Sequence, residues 1–183
     1  LQLLPYSVEI DSGWAYFEDF LQIYWQSMER CQADDYYYFS REYFTQFREA
    51  LGEHLHLCIV KLDEQVACAG LFTEINGIVQ YHLSGTKTDF MKQYPNKIML
   101  DYVRRWAKDR GNKYLHLGGG VGGQADSLFK FKAGFSKVRH SFYTWRAITD
   151  KYAYAEMVRQ WEIKNGLTAD GMDGFFPAYR KGV

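Results

Sequence analysis

Three prolines, three cysteines and no apolar run near the ~20 residues of a membrane span set the first limits on this 183-residue chain. So little proline excludes a Pro-rich linker or stalk. Cys31, Cys58 and Cys68 are odd in number and form no C-x-x-C pair, which argues against a zinc ribbon or a disulfide framework. Reduced thiols in a cytoplasmic protein are the expectation. The opening LQLLPYSVEI has neither the basic start nor the long apolar stretch of a secretion signal. It also lacks an initiator Met, so the expected unit is a single domain over 1–183, open to being the C-terminal half of a longer two-domain protein. What is abundant is aromatic: 15 Tyr, 13 Phe and 5 Trp, 18% of the chain, which favours strands and well-packed helices.

The net charge of zero hides an asymmetry. Residues 1–80 hold 4 Lys/Arg against 13 Asp/Glu, a net of −9, whereas residues 103–147 hold 10 against 2, a net of +8. A chain that is not basic as a whole is no general duplex-DNA binder. The local positive stretch fits either solvated helix faces or the field for a phosphate-bearing ligand or an RNA end.

Spacing predicts the elements. Asp11 and Ser12 are candidate caps for a helix over Trp14 to Gln32, with Phe17, Phe20, Leu21, Tyr24, Trp25, Met28 and Cys31 as its core stripe. Ser40 can cap a second helix that Gly52 ends. Leu55–Leu62, Gln65–Thr73 and Ile78–Leu83 read as an antiparallel meander turned at Asp63-Glu64 and Asn76-Gly77. Pro95 suits the first turn of a helix closed by Gly111. A short strand (Tyr114–Leu117), a helix near Ala125–Ala133, a long strand over Lys137–Ile148 and a final helix capped by Asp150 complete the order α-α-β-β-β-α-β-α-β-α. This is the element order of a GNAT acyltransferase, an α/β (α+β) domain with a mixed, mostly antiparallel sheet flanked by helices.

The most informative segment is LGGGVGGQADSLFKFKAGF. Gly118, Gly119, Gly120, Gly122 and Gly123 follow a strand and allow positive φ or close backbone approach by a ligand. The helix start that follows would add N–H groups suited to phosphate or an oxyanion. No Gly-Lys-Ser/Thr follows, so this is not a Walker A loop. Lys130 and Lys132 flank Phe131, so one of them can point back to the loop while the other is solvated. Arg30 at a helix end reads as a dipole partner or as a phosphate contact. His82 and Ser84 fall on one strand face by period two and are candidate substrate contacts, while His116 reads as a core histidine. His54 and His56 lack further ligand-like companions, so no metal is expected.

The string YLHLGGGVGGQADSLFKFKAGFS, with QYHLSGT upstream, FFPAYR at the end and IYWQSMERCQADDYYYFSREYF near the start, resembles the Fem family. These are FemX-like peptidoglycan-bridge aminoacyltransferases with GNAT-like domains. The resemblance covers about Phe20 to Arg180. It implies transfer of an amino acid from aminoacyl-tRNA to an amine on a nucleotide-linked cell-wall precursor. It assigns the precursor's diphosphate to Arg30 and places Lys132 near the tRNA acceptor end as the catalytic lysine.

Two features depart from the family pattern. One GNAT-like domain stands where Fem enzymes carry two. The segment Phe90-Met91-Lys92-Gln93-Tyr94-Pro95-Asn96 also holds no glycine, where a coenzyme A pyrophosphate loop would open the helix. The readings are therefore an aminoacyl-tRNA-dependent transferase, an acyl-CoA N-acetyltransferase acting on another amine acceptor, and a non-catalytic ligand-binding module.

Overall fold

Local signals in the chain become caps and turns. In a computed structural model that describes residues 5–168 and 175–181, the Ser40 hydroxyl accepts from the Tyr43 amide to start a helix over Arg41–Leu51, and Gly52 ends it at φ 51°. Asp150 caps Lys151–Asn165 through the amides of Tyr152 and Ala153, and Gly166 closes that helix at φ 64°. Pro95 opens Pro95–Asp109. Asp63 and Glu64 (φ 48° and 63°), like Asn76 and Gly77 (50° and 79°), take the double positive-φ geometry that a right-twisted two-residue hairpin demands. The first helix, Phe17–Arg30, is shorter than the apolar stripe implied. Asp11 lies ahead of it and accepts the Tyr16 amide at 2.8 Å.

In chain order the helices are α1 (Phe17–Arg30), α2 (Arg41–Leu51), α3 (Pro95–Asp109), α4 (Ser127–Ala133) and α5 (Lys151–Asn165). The strands are β1 (Tyr6–Ile10), β2 (Leu55–Leu62), β3 (Gln65–Ile75), β4 (Ile78–Thr86) and β5 (Tyr114–His116). The sheet order is β1-β2-β3-β4-β5, antiparallel except for the parallel β4–β5 pair. Contacts divide the chain into two units, Leu1–Lys137 and Val138–Val183, and the sheet belongs to the first.

Both faces of that sheet are covered, so its central strands read as unbroken apolar runs. Leu57, Ile59, Ala69 and Leu71 pack with Phe20, Leu21, Tyr24 and Phe44 of α1 and α2. Cys58, Val60, Cys68 and Phe72 point the other way, onto Met99, Leu100 and Val103 of α3. Burial pushes both thiols up, that of Cys68 to about 12, so they act as apolar filling. Cys31 is exposed instead of completing the α1 stripe, because the helix ends at Arg30.

Two strand expectations need correction. Tyr6, Val8 and Ile10 alternate inward on a strand, β1, that the reading missed, and it pairs with the β2 edge. Residues 137–148 were expected to form a strand, but they carry no ladder and leave Phe142, Tyr143 and Trp145 85–91% exposed. Alternation sets which way side chains point, but a strand exists only where its N–H and C=O groups find a partner. In the second unit, Tyr154 of α5 stacks on Phe176, and the Trp161 indole donates to the Lys181 carbonyl. Among the described residues no helix is long and apolar enough to cross a membrane.

A β-bulge decides which way the end of β4 faces. Leu71 pairs with Leu83 but Phe72 with Tyr81, so His82 is the extra residue. Beyond it α1 lies directly on the strand. A Cβ on Gly85 would sit 2.5 Å from the Ile23 carbonyl oxygen, and the Ser27 hydroxyl accepts the Thr86 amide at 3.1 Å. At the opposite end of the sheet Glu74 gathers Arg110 (2.9 Å), Asn112 (2.5 Å) and His56 (2.9 Å), tying β3 to the end of α3.

Two predictions follow from this packing. Gly85→Ala must push α1 off the sheet and should cost about 2 kcal/mol or more, measured by urea unfolding. Replacing Glu74 by Gln strands its partners and should cost about 2 kcal/mol at neutral pH. Burial raises the Glu74 pKa, but the Arg110 and Asn112 hydrogen bonds outweigh it and the net direction is down. The unfolded chain therefore takes up that proton first. The wild-type advantage over Glu74→Gln should be full above the ordinary glutamate value of about 4.3 and fade as pH falls through the lower native value.

Candidate active site

Parallel pairing between β4 and β5 runs from Ile78–Tyr114 to Gln80–His116 and stops there. Tyr81 is the first residue past the last rung, and the chain leaving β5 enters the glycine-rich loop. The two strands part at this point, and the loop lies open to solvent at Gly118, Gly119, Gly122 and Gly123.

The loop's shape accounts for most of its glycines. Gly118, Gly122 and Gly123 have φ of 74°, 58° and 78°, where an L side chain is strained. Gly120 has no room for a Cβ, which would strike the Gln124 carbonyl and the Asp126 carboxylate. Only Gly119 has neither constraint: nothing lies within 4 Å of its would-be Cβ. The amides of Val121, Gly123 and Gln124 bond within the loop, while those of Gly118, Gly119 and Gly122 bond to no described residue.

The helix start after the loop differs from the expectation. It offers no free positive end, because the Asp126 carboxylate already accepts the Phe129 amide (2.8 Å) and the Val121 amide (3.0 Å). Those bonds hold its pKa down, so a fixed anion sits where a phosphate was foreseen.

Cationic charge comes instead from Lys132. Phe131 packs into the α3-side core, which turns Lys132 inward and leaves Lys130 exposed. The Lys132 Nζ donates to the Gly119 carbonyl at 2.8 Å and stands 5.6 Å above the centre of the Tyr81 ring. Burial lowers its pKa, with the Asp126 charge opposing. Tyr81 stacks on Phe72 and shares a short hydrogen bond with the Ser84 hydroxyl. Burial pushes its own pKa up to about 12, so it remains a neutral phenol.

His82 and Ser84 were expected to share a face. The bulge at His82 reverses the phase, so Ser84 joins Tyr81 on the α3 side while His82 turns toward Phe47 of α2, the two rings tilted with centres 4.9 Å apart. Burial lowers the His82 pKa, and its Nε2 has no hydrogen-bond partner. His116 is exposed, not a core histidine, because β5 is the edge strand of the sheet.

Arg30 stands apart from this cluster. Its guanidinium donates to the hydroxyls of Thr88 and Ser27, both at 3.1 Å, at the far end of β4. Both acceptors are neutral, and no described carboxylate pairs with it. The basic stretch 103–147 is partly spent internally, with Arg104 and Arg105 on Asp101 and Arg110 on Glu74. Among the described residues no group of three or more acidic, His or Cys side chains could hold a metal. Sequence reasoning missed Tyr81 and Asp126. An Asp three residues before Phe129 was a legible cap, but nothing local marks Tyr81.

The α3 start is a poor fit for a coenzyme A pyrophosphate. Tyr94 is in the left-handed region at φ 53°, Pro95 has no N–H, and the Lys97 amide bonds back to the Tyr94 carbonyl at 3.0 Å. Few amides remain to cradle an anion.

Residues 2–132 match the family model described as an acetyltransferase (GNAT) domain. No curated protein sequence matches the chain. Solved structures share the fold at low identity. One is an aminoglycoside acetyltransferase from an uncultured soil metagenomic sample (8% identity, TM-score 0.57, 80% of this chain and 99% of that one). Another aminoglycoside acetyltransferase of such origin, in complex with sisomicin, gives 10% identity and TM-score 0.55 over 78% and 97%. AAC(6')-Iy in complex with the bisubstrate analogue CoA-S-monomethyl-acetylneamine gives 13% and 0.50 over 78% and 99%.

The glycine geometry makes a paired prediction. Gly120→Ala should open the loop and cost about 2 kcal/mol, seen as faster amide exchange over residues 118–126. Gly119→Ala should leave stability within about 0.5 kcal/mol of wild type.

Proposed function

We propose, from the premise that this chain belongs to the GNAT acetyltransferase domain family, that it transfers an acyl group onto an amine at the parting of β4 and β5. The observation that carries this reading is the Lys132 ammonium, held by the Gly119 carbonyl beside the Tyr81 ring.

The chemistry asks little of the protein. The amine nitrogen forms a bond to the acyl carbon, the bond to the leaving oxygen breaks, and that oxygen needs a proton. Lys132, its pKa lowered by burial, supplies the proton, and the surplus proton of the amine goes to water. The amides of Gly118 and Gly119, which bond to no described residue, would donate to the charge that develops on the carbonyl oxygen.

For the donor we favour an aminoacyl ester, as on aminoacyl-tRNA, with a Fem-like role and a nucleotide-linked cell-wall precursor as acceptor. The α3 start supports this, since Pro95 and the Tyr94–Lys97 bond leave few amides for a coenzyme A pyrophosphate. Arg30, whose charge no described carboxylate neutralises, is then the group for the precursor's diphosphate. An acyl-CoA donor is the second reading, favoured by the bound bisubstrate analogue of the AAC(6')-Iy structure.

The test is a transfer assay with each donor against amine acceptors. Lys132→Ala should keep the fold and lose tenfold or more in turnover, about 1.4 kcal/mol. The protonated lysine is the active form, so the wild-type rate should fall as pH rises through a value below the ordinary lysine pKa of about 10.4. Turnover with neither donor, or a Lys132→Ala rate equal to wild type, overturns the proposal.

A further inference from the structure

A concavity lies at the hairpin end of the sheet, beside the Asn76-Gly77 turn, and the transfer reading makes no use of it. It encloses about 710 Å³, the size of a small-molecule pocket. Trp14 and Trp106 line it, with Asp11, Glu53 and the Glu74 cluster.

We propose that this cavity binds a small alkylammonium cation. The charges of its lining decide the sign. Glu74 is matched by Arg110 at 2.9 Å. His56 lies 2.9 Å from Glu74, but burial lowers its pKa more than the carboxylate raises it, so it adds no positive charge near neutral pH. Asp11 and Glu53 pair with no described cation, which leaves the lining two negative charges in excess.

Asp11 is only 8% exposed. Its Oδ2 accepts the Tyr16 amide at 2.8 Å, and no described donor reaches its Oδ1. That second oxygen is not sealed from the cavity, so a cation there can meet it. The indoles favour the same sign. Each ring already carries a guanidinium on one face, Arg48 at 4.5 Å over Trp14 and Arg110 at 5.1 Å over Trp106, which leaves only the opposite face for a ligand cation. A phosphate or carboxylate ligand would meet unpaired anions here, and a neutral sugar would leave them uncompensated.

Choline is the probe, set against 3,3-dimethylbutan-1-ol, its uncharged isostere of nearly equal shape. Titration of the full chain, followed by tryptophan fluorescence and calorimetry, should show saturable choline binding at least about tenfold tighter than the isostere, or 1.4 kcal/mol. Glu53→Gln changes an exposed residue, and Asp11→Asn keeps an oxygen for the Tyr16 amide, so both variants should fold. Each should weaken choline about fivefold or more, while Lys132→Ala should bind it as wild type does. No saturable choline binding, equal binding of the isostere, or wild-type affinity in both carboxylate variants overturns the proposal. None of these outcomes bears on the transfer reading, which its own assay decides.

Discussion

The one extra residue at His82 governs what the rest of the structure can do. A sheet covered on both faces has no spare side, so every β4 side chain must enter one core or the other. With His82 as the bulge, Leu83 joins the α1 and α2 layer while Ser84 keeps company with Tyr81. Gly85 then faces α1 closely enough that its missing side chain is a packing requirement. A regular strand through these residues would turn Ser84 away from Tyr81 and present Leu83 to the wrong layer. The bulge also follows directly on the point where β5 stops pairing, so phase change and strand separation occur within three residues of each other.

Charge is placed by the same economy. Lys130 and Lys132 differ only in which side of Phe131 they occupy, and the burial of Phe131 settles which of them is solvated. Lys132 is left with a carbonyl, an aromatic face and a distant carboxylate, an environment that weakens its hold on a proton without neutralising it. Asp126 works in the opposite sense, since its bonds to the Val121 and Phe129 amides close the loop and use up the helix end. The local attraction for an anion therefore rests on the lysine and on the loop amides of Gly118, Gly119 and Gly122.

What could be read from the sequence was whatever a few neighbouring residues decide. Ser40 and Asp150 act as caps, Gly52 and Gly166 as stops, Pro95 as a first turn and Asn76-Gly77 as a hairpin, because each needs only its own backbone. The misses depend on distant partners. β1 needed the β2 edge, and its five residues were too few for alternation alone to identify. Residues 137–148 have the alternation and no ladder. The pairing of His82 with Ser84 failed because a bulge leaves no local mark, and the same bulge concealed Tyr81. The glycine loop was found as a segment, yet its glycines were credited to a ligand when four of the five answer to their own φ or to crowding. That one of Lys130 and Lys132 turns back to the loop follows from Phe131 between them, and it is Lys132 that donates to the Gly119 carbonyl.

Distance along β4 constrains any substrate. Tyr81, beneath Lys132, and Thr86, beside Ser27 and Arg30, are five residues apart. At about 3.3 Å per residue that is roughly 16 Å, less a little for the bulge. An acetyl group or a single amino acid spans less than half of this. Lys132 lies over the α3 face while Arg30 belongs to α1 on the other, so a ligand that engages both must be extended and pass around the sheet, or two ligands must meet between them. The second arrangement is the one that the proposed transfer between two large substrates would use, with the reacting atoms at the lysine and a remote, anionic part of one substrate at the arginine. Under the proposed function, binding energy from such a remote contact would orient the reacting ends, and Arg30 would act without touching the acyl carbon.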